Sequence, residues 1–356
     1  MDFAKEILIT GFPGFIARRL VEKLASSDTR FHLLIEERFE TVATSEITNI
    51  SSRTGLPREN FVIYKGDITQ ANLGLGNEEI EHIVSCVTDV FHLAAIYDLA
   101  VHSEPAHRVN VQGTENVNEI VTRLSRLSRY NYISTCYVAG KRTGRILESE
   151  LEHHAGFRNH YEETKYLAEV SVERLKSSLP ITIIRPSVVV GDSNTGETVK
   201  YDGIYYLIQY LLIAPSILRF INVGNNDVTL NLVPVDFVVD GIKVISESTE
   251  AVGKTLALAD PNPMTTAALF DAIARSLTGG ASIATPPSAL VELFLKSPIS
   301  PPLTGLPHSG VPYFFIKQEY DVSAAMSILA PSRISCPSFS SYVDNLIRFV
   351  KKHPTL

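Results

Sequence analysis

Through the first half of the chain, short apolar runs alternate with longer stretches in which apolar residues recur every three or four positions. The runs are EILIT (6–10), FHLLI (31–35), FVIY (61–64), DVFHLA (89–94), YNYIS (130–134) and ITIIRP (181–186). Strands this uniformly apolar belong to a parallel sheet, because helices cover both of its faces. The intervening RRLVEKLAS, AHRVNVQGTENVNEIVTRLSRL and YEETKYLAEVSVERLKSS carry the spacing of amphipathic crossover helices. The pattern therefore predicts an α/β fold, a doubly wound parallel sheet over residues 1–190.

From about residue 190 the regularity fades into segments rich in Gly, Pro and Tyr, which predicts a smaller, irregular C-terminal region over 191–356 that binds substrate. A strand-like KTLALA (254–259) sits in a stretch, 228–260, expected to return to the main domain, and TTAALFDAIARSL (265–277) reads as a helix. The most apolar long window, GIYYLIQYLLIAPSILRF (203–220), is interrupted by Gln209, Pro215 and Arg219 and so is not a spanning helix. It suits an acyl chain, a membrane surface, or simply a helix buried for stability. The Pro-flanked ATPPSALVELFLKSPISPPLTGLP (284–307) reads as a lid or pocket wall, or equally as a surface excursion.

At 356 residues, with 45% hydrophobic and 20% charged residues, the chain is one enzyme-sized globular unit. A net charge of -7 without a Lys/Arg run argues against nucleic acid as a partner. Cys86, Cys136 and Cys336 show neither CxxC nor ligand spacing, and the ten histidines form no HExxH, so no metal site is expected. The opening MDFAKEILIT lacks the parts of a signal peptide, which makes the cytoplasm the expected compartment. A homodimer is compatible with this composition.

TGFPGFIARRL (10–20) joins the first strand to the first helix and places Gly11, Gly14 and Ala17 in a GxxGxxA arrangement. Small residues there let the backbone approach a pyrophosphate, whose charge the free amides and helix dipole stabilise. This predicts a Rossmann-type dinucleotide site formed by Gly11, Phe12, Gly14, Phe15 and Ile16. Glu36, at the end of the second strand, stands where an acid would accept bonds from the ribose of NAD, though farther along than the usual ~20 residues. Arg38 could instead pair with a 2'-phosphate. Asp67 and Ile68 follow the third strand near the adenine edge, and Leu93, Ala94 and Ala95 offer a small-residue passage after the fourth.

Tyr161 and Lys165 lie four apart on a predicted helix, hence on one face. An ammonium beside a phenol lowers its pKa toward the working range, so that Tyr161 can exchange a proton with a substrate oxygen. A second YxxxK, Tyr313 to Lys317, occurs outside the βα series and is expected in a packed strand. The first pair is flanked by ISTCYVAG and IIRPSVVVG, at strand ends on the carboxyl edge where a dinucleotide binds. Thr135 and Ser134 both end the fifth strand, and either hydroxyl could serve the site. Asn110 either orders a water near Lys165 or caps or kinks its helix.

Taken together, TGFPGFIA, FHLAAIYDLAV, NVQGTENV, YISTCYVAG, YEETK, IIRPSVVVGDSNTGE and LVPVDFVVDGI resemble the extended short-chain dehydrogenases, in their thioester-reductase and fatty acyl-CoA reductase branch, over about two-thirds of the chain. The resemblance implies that Thr135 is the carbonyl-holding hydroxyl, Tyr161 the acid and Lys165 its partner, with Pro186, Ser187 and Val188 beside the nicotinamide. It favours NADPH, whereas Glu36 favours NADH, so the cofactor is NADP(H) or NAD(H). It implies reduction of an acyl thioester to an aldehyde or alcohol. The chain shows no adenylation or carrier segment, so the thioester is expected as acyl-CoA or on a separate carrier protein. The same Thr, Tyr and Lys would also serve a sterol, β-keto or nucleotide-sugar dehydrogenase or epimerase. A regulator that senses NAD(P) without turnover is the remaining alternative.

Overall fold

In the computed structural model, which describes residues 3–213, 219, 221–298, 300, 308 and 310–356, the apolar runs form strands in chain order. They are β1 (Lys5–Thr10), β2 (Thr29–Ile35), β3 (Phe61–Lys65), β4 (Asp89–His92), β5 (Arg129–Ile133), β6 (Gly144–Ile146), β7 (Ile181–Pro186), β8 (Val188–Val190), β9 (Leu232–Pro234), β10 (Thr255–Leu258) and β11 (Gln318–Tyr320). Seven of them make one sheet in the order β10-β7-β5-β4-β1-β2-β3, parallel throughout. The chain winds outward from β1 in one direction and from β4 in the other. The crevice between those two strands is therefore the switch point where such sheets bind ligands.

Period-two alternation divides the core. Ile7, Ile9, Phe31 and Leu33 face one side, where α1 (Phe15–Leu24) and α2 (Glu40–Thr54) cover them. Leu8, Leu34, Tyr130 and Tyr132 face the other, under α3 (Asn77–Cys86) and two later helices. Each fully buried large side chain in these layers contributes about 1.5–3 kcal/mol. The predicted helix spanning AHRVNVQGTENV is not continuous. A short α4 (Ser103–Ala106) runs into a π-helical turn, His107–Gln112, before α5 (Gly113–Arg123). Asn110 lies in that turn, its Oδ1 accepting from Ile96 N at 2.8 Å and its Nδ2 donating to Thr164 Oγ1 at 3.0 Å.

The helix carrying the Tyr161–Lys165 pair is α6 (His160–Glu173), capped by Asn159, whose Oδ1 accepts from Glu162 N at 2.9 Å. Beyond it lie α7 (Ile204–Ile213), α8 (Val235–Glu247), α9 (Thr266–Thr278), α10 (Ser288–Leu295), α11 (Ser323–Leu329) and α12 (Phe339–Lys352). α8 and α11 return to the sheet face of α1, and β10 adds an edge strand to the main sheet. α7, α9 and α12 instead build a separate apolar layer with β8 and β9. Only parts of the 203–220 and 284–307 windows fall within the described residues; 214–218, 220, 299 and 301–307 lie outside them. Among the described residues, no helix is long and apolar enough to cross a membrane.

The second YxxxK is not in a strand. Tyr313 sits in a short 3-10 turn, Val311–Phe314, and the neighbouring strand β11 begins only at Gln318. Pro312, within that turn, lacks the backbone donor that a ladder requires.

Candidate active site

β1 ends at Thr10, and the chain turns through Gly11 with φ +87, a conformation L side chains rarely adopt. A Cβ on Gly11 would stand 2.7 Å from Ala94 N, and one on Gly14 would stand 2.6 Å from Gly11 O. Gly14 opens α1 without a side-chain cap, so the first amides of the helix are left for a ligand. This cradle, which any side chain would fill, fits the pyrophosphate of a dinucleotide.

The turn is held to β4 by a chain of buried hydrogen bonds whose directions can be worked out. Thr114 Oγ1 donates to Asn110 O at 2.7 Å, so it accepts from His92 Nε2 at 3.0 Å. His92 Nδ1 is then the acceptor for the Thr10 hydroxyl at 2.6 Å, while Thr10 Oγ1 accepts from Ala94 N at 3.2 Å. Burial, with help from Lys165, pushes the imidazole down to about 3, which keeps it neutral as that chain of bonds requires.

A cleft of about 400 Å³ opens above the turn. Its walls include Gly11, Gly14, Phe15, Ile16, Leu93, Ala94, Ala95, Thr135, Tyr161, Lys165, Pro186, Ser187 and Val188. The structure thus brings together residues from the ends of β1, β4, β5 and β7 with one face of α6. Several residues singled out from the sequence lie outside this wall. Phe12 is buried beneath the turn. Asp67 closes its own loop by accepting from Thr69 N at 2.8 Å, and Ile68 is buried beside it. Glu36 and Arg38 pair with each other at 2.8 Å on the surface. Asn110 bonds to the Ile96 loop and to Thr164 and makes no bond to Lys165.

Lys165 Nζ donates to Ile133 O at 2.9 Å and to Tyr132 Oη at 3.0 Å. Burial lowers the ammonium to about 8, with the Glu169 carboxylate opposing the shift. Tyr161 is buried against the Thr135 hydroxyl, and burial pushes its phenol above the ordinary range, Thr135 pulling the other way. The direction is opposite to that expected from the sequence, because the ammonium is engaged by Tyr132 and Ile133 while desolvation dominates the phenol. A neutral phenol is a proton donor.

The two adjacent hydroxyls of β5 part ways. Ser134 donates to Glu169, whose carboxylate also pairs with the buried Arg185 guanidinium at 2.5 Å. Thr135 Oγ1 accepts from Tyr137 N at 3.2 Å, bonds to the Tyr161 phenol and lines the cleft, so that both hydroxyls face the same space.

Other residues at the site lie outside the set expected from the sequence. Tyr97 meets the Tyr161 ring edge-on at 5.1 Å, and Tyr137 packs tilted against Tyr313 with ring centroids 4.6 Å apart. Lys200 and Asp202, 3.7 Å apart, wall both the cleft and an adjoining cavity of about 210 Å³. Tyr313 donates to Glu162 Oε1 at 2.6 Å and accepts from Asn159 Nδ2 at 2.8 Å, tying the late segment to the cap of α6.

A family model described as "Male sterility protein" matches residues 9–242. The fatty acyl-CoA reductase wat of Drosophila melanogaster is 24% identical over 278 residues, 67% of this chain and 53% of that protein. Fatty acyl-CoA reductase 1 of Gallus gallus is 26% identical over 276 residues, 66% of this chain and 53% of that protein. The chain thus spans about half the length of the curated relatives it matches. Among solved structures, the terminal R domain from the myxalamid PKS-NRPS biosynthetic pathway superposes with a TM-score of 0.81 at 24% identity, covering 100% of this chain and 92% of that one. UDP-glucuronic acid 4-epimerase from Bacillus cereus, in complex with NAD, follows at 0.67 and 19% identity, covering 98% and 99%. Likeness at that identity speaks for the fold.

Proposed function

The chain belongs to the male sterility protein family, and from that premise we propose that it is an NAD(P)H-dependent reductase of acyl thioesters. The single observation that carries the reading is that Thr135, Tyr161 and Lys165 share one cleft with the Gly11–Gly14 turn. On this reading residues 1–190 form the dinucleotide-binding unit and 191–356 mainly the substrate region, with 228–260 returning to the sheet.

Gly11, Gly14, Phe15 and Ile16, with the backbone of Phe12 between them, would hold the pyrophosphate of a dinucleotide, Leu93, Ala94 and Ala95 would border it, and Pro186, Ser187 and Val188 would flank its nicotinamide. Its reduced nicotinamide supplies the hydride when bound. Thr135 donates a hydrogen bond to the thioester carbonyl, a bond that strengthens as the oxygen gains charge. Tyr161 gives that oxygen its proton. Lys165 keeps a positive charge behind the phenol, fixed by Ile133 O and Tyr132. The resulting hemithioacetal loses thiol to give an aldehyde, and a second round on the aldehyde gives an alcohol. Asp67 and Ile68 would border the adenine, and the Glu36–Arg38 pair, at the end of β2, would set the preference between NADH and NADPH. Asn110 acts as a positioning residue for the Ile96 loop.

The thioester arrives as acyl-CoA or on a carrier protein. The aromatic part of the adjoining cavity's wall, with Tyr97, Tyr137, Tyr313 and Phe314, suits an acyl group, while Asp98, Lys200 and Asp202 suit polar atoms near the thioester end. The test is a panel of acyl-CoAs, a β-keto ester and a UDP-sugar offered with NADH and NADPH, following loss of reduced-nicotinamide absorbance. Turnover of thioesters with release of free thiol is expected, and silence with every thioester would overturn the reading.

A further inference from the structure

A third cavity, of about 80 Å³, lies between α7, α9 and α10, and Tyr206 and Phe314 wall both it and the cavity beside the catalytic cleft. Its described lining is aliphatic and aromatic, apart from Thr266 and the phenols of Tyr206 and Tyr210. The Thr266 hydroxyl is already spent, accepting from Asn225 N at 2.8 Å and donating to Asn225 O at 3.1 Å. Leu269 and Phe270 of α9 and Val291 and Leu295 of α10 are all buried around this space. A void of this composition offers a ligand no charge and little hydrogen bonding, so what enters it must be apolar.

The same short turn faces both ways. Tyr313 holds the cap of α6 through Glu162 and Asn159, and the next residue, Phe314, lines the apolar cavity. A linear group extending from a carbonyl at Tyr161 would pass Tyr97 and Tyr137, meet Tyr206 and Phe314, and end against Val291 and Leu269.

We propose that this cavity is the binding subsite for the unbranched alkyl tail of the substrate, entered between Tyr206 and Phe314, and that Val291 and Leu295 set the chain length accepted. The proposal rests on the thioester reading above and adds to it where the tail lies and which residues measure it. Each methylene that leaves water for such a wall improves binding about fourfold, until the cavity is full.

The experiment compares kcat/KM across saturated acyl-CoAs of increasing length for the wild type, Val291→Phe and the control Leu290→Ser, whose side chain is 60% exposed on the same helix. In parallel, cis-parinaric acid fluorescence titrates alkyl binding without turnover. Val291→Phe is expected to move the plateau to shorter chains, lowering the long-to-short ratio at least tenfold and weakening parinaric acid, while Leu290→Ser keeps the wild-type profile. An unchanged chain-length profile in Val291→Phe, or parinaric acid bound as tightly as by the wild type, overturns the proposal. Should Val291→Phe not fold, Leu295→Ala enlarges the same space and must extend the plateau; an unmoved plateau is equally fatal. If the wild type turns over no thioester, the functional reading fails by itself, and parinaric acid displaced by Val291→Phe still marks the alkyl site.

Discussion

Tyr161–Lys165 and Tyr313–Lys317, two of the three tyrosine–lysine pairs at this spacing in the chain (Tyr137–Lys141 is the third), share almost nothing else. Tyr161 and Lys165 are successive turns of α6, so one face carries both into the cleft. Tyr313 and Lys317 begin in a 3-10 turn and leave it before the lysine, so the side chains part company. Lys165 is buried on Ile133 O and Tyr132, whereas Lys317 is 63% exposed and pairs with Asp227 at 3.9 Å. Four-residue spacing is a statement about an α-helix, and without the helix it places nothing. The late tyrosine is nevertheless no bystander. By bonding to Glu162 and Asn159 it fastens the cavity wall to the cap of the helix that holds the first pair.

The largest expected difference between the pairs is in proton transfer. Tyr161→Phe is expected to lower kcat by about 10²–10⁴, the usual contribution of a positioned acid, with dinucleotide affinity measured by fluorescence titration little changed. Tyr313→Phe should fall far short of that. Equal losses in the two variants would erase the distinction drawn here. Next in size, Thr135→Val is expected to cost about 10²–10³ in kcat through loss of one oxyanion donor. Ser134→Ala should instead show its effect in the melting temperature, because Ser134 serves the buried Glu169–Arg185 pair.

The contrast between a buried and an exposed lysine also has a pH signature. Lys165 is held at about 8, against an ordinary value of 10.5. If the ammonium is required, the rate falls as pH rises through about 8, roughly tenfold per unit once the charged form is the minority. Stability moves the other way. Between 8 and 10.5 the unfolded chain carries the proton and the folded chain does not, so this group's contribution to stability rises with pH over that window. Lys165→Arg, which stays charged, should remove the limb near 8 at a lower overall rate. A wild-type rate flat from pH 7 to 10 would show that the ammonium is not needed.

Most of the sheet was legible because burial on both faces leaves an unmistakable apolar run, and every strand of the main sheet coincides with one of those runs to within two residues, β10 with KTLALA among them. The glycine turn was legible from its place between strand and helix. Tyr97, Lys200 and Asp202 were not, since they sit on loops where no periodicity ties residue type to position, and neither was Tyr137, in the single 3-10 turn Cys136–Ala139. The predicted helix over 106–127 failed at Asn110, whose side chain bonds across to Ile96 and Thr164 within a π-helical turn. No spacing in the sequence pairs Glu169 with Arg185. Only the meeting of α6 with β7 buries them together.

The smaller predictions test whether the late pair acts through its tyrosine alone. Tyr313→Phe removes the donor to a fully buried Glu162 carboxylate and the acceptor for Asn159. Leaving such groups short of a partner costs about 1–3 kcal/mol, seen as a lower melting temperature with kcat within a few-fold. Lys317→Ala should do less still. Both members of its pair with Asp227 are mostly exposed, and such pairs are worth about 0–1 kcal/mol. Its melting temperature and kcat should both match the wild type. A tenfold loss of kcat in Lys317→Ala would mean that the second YxxxK contributes to the chemistry, and that spacing carried information which the interrupted helix does not explain.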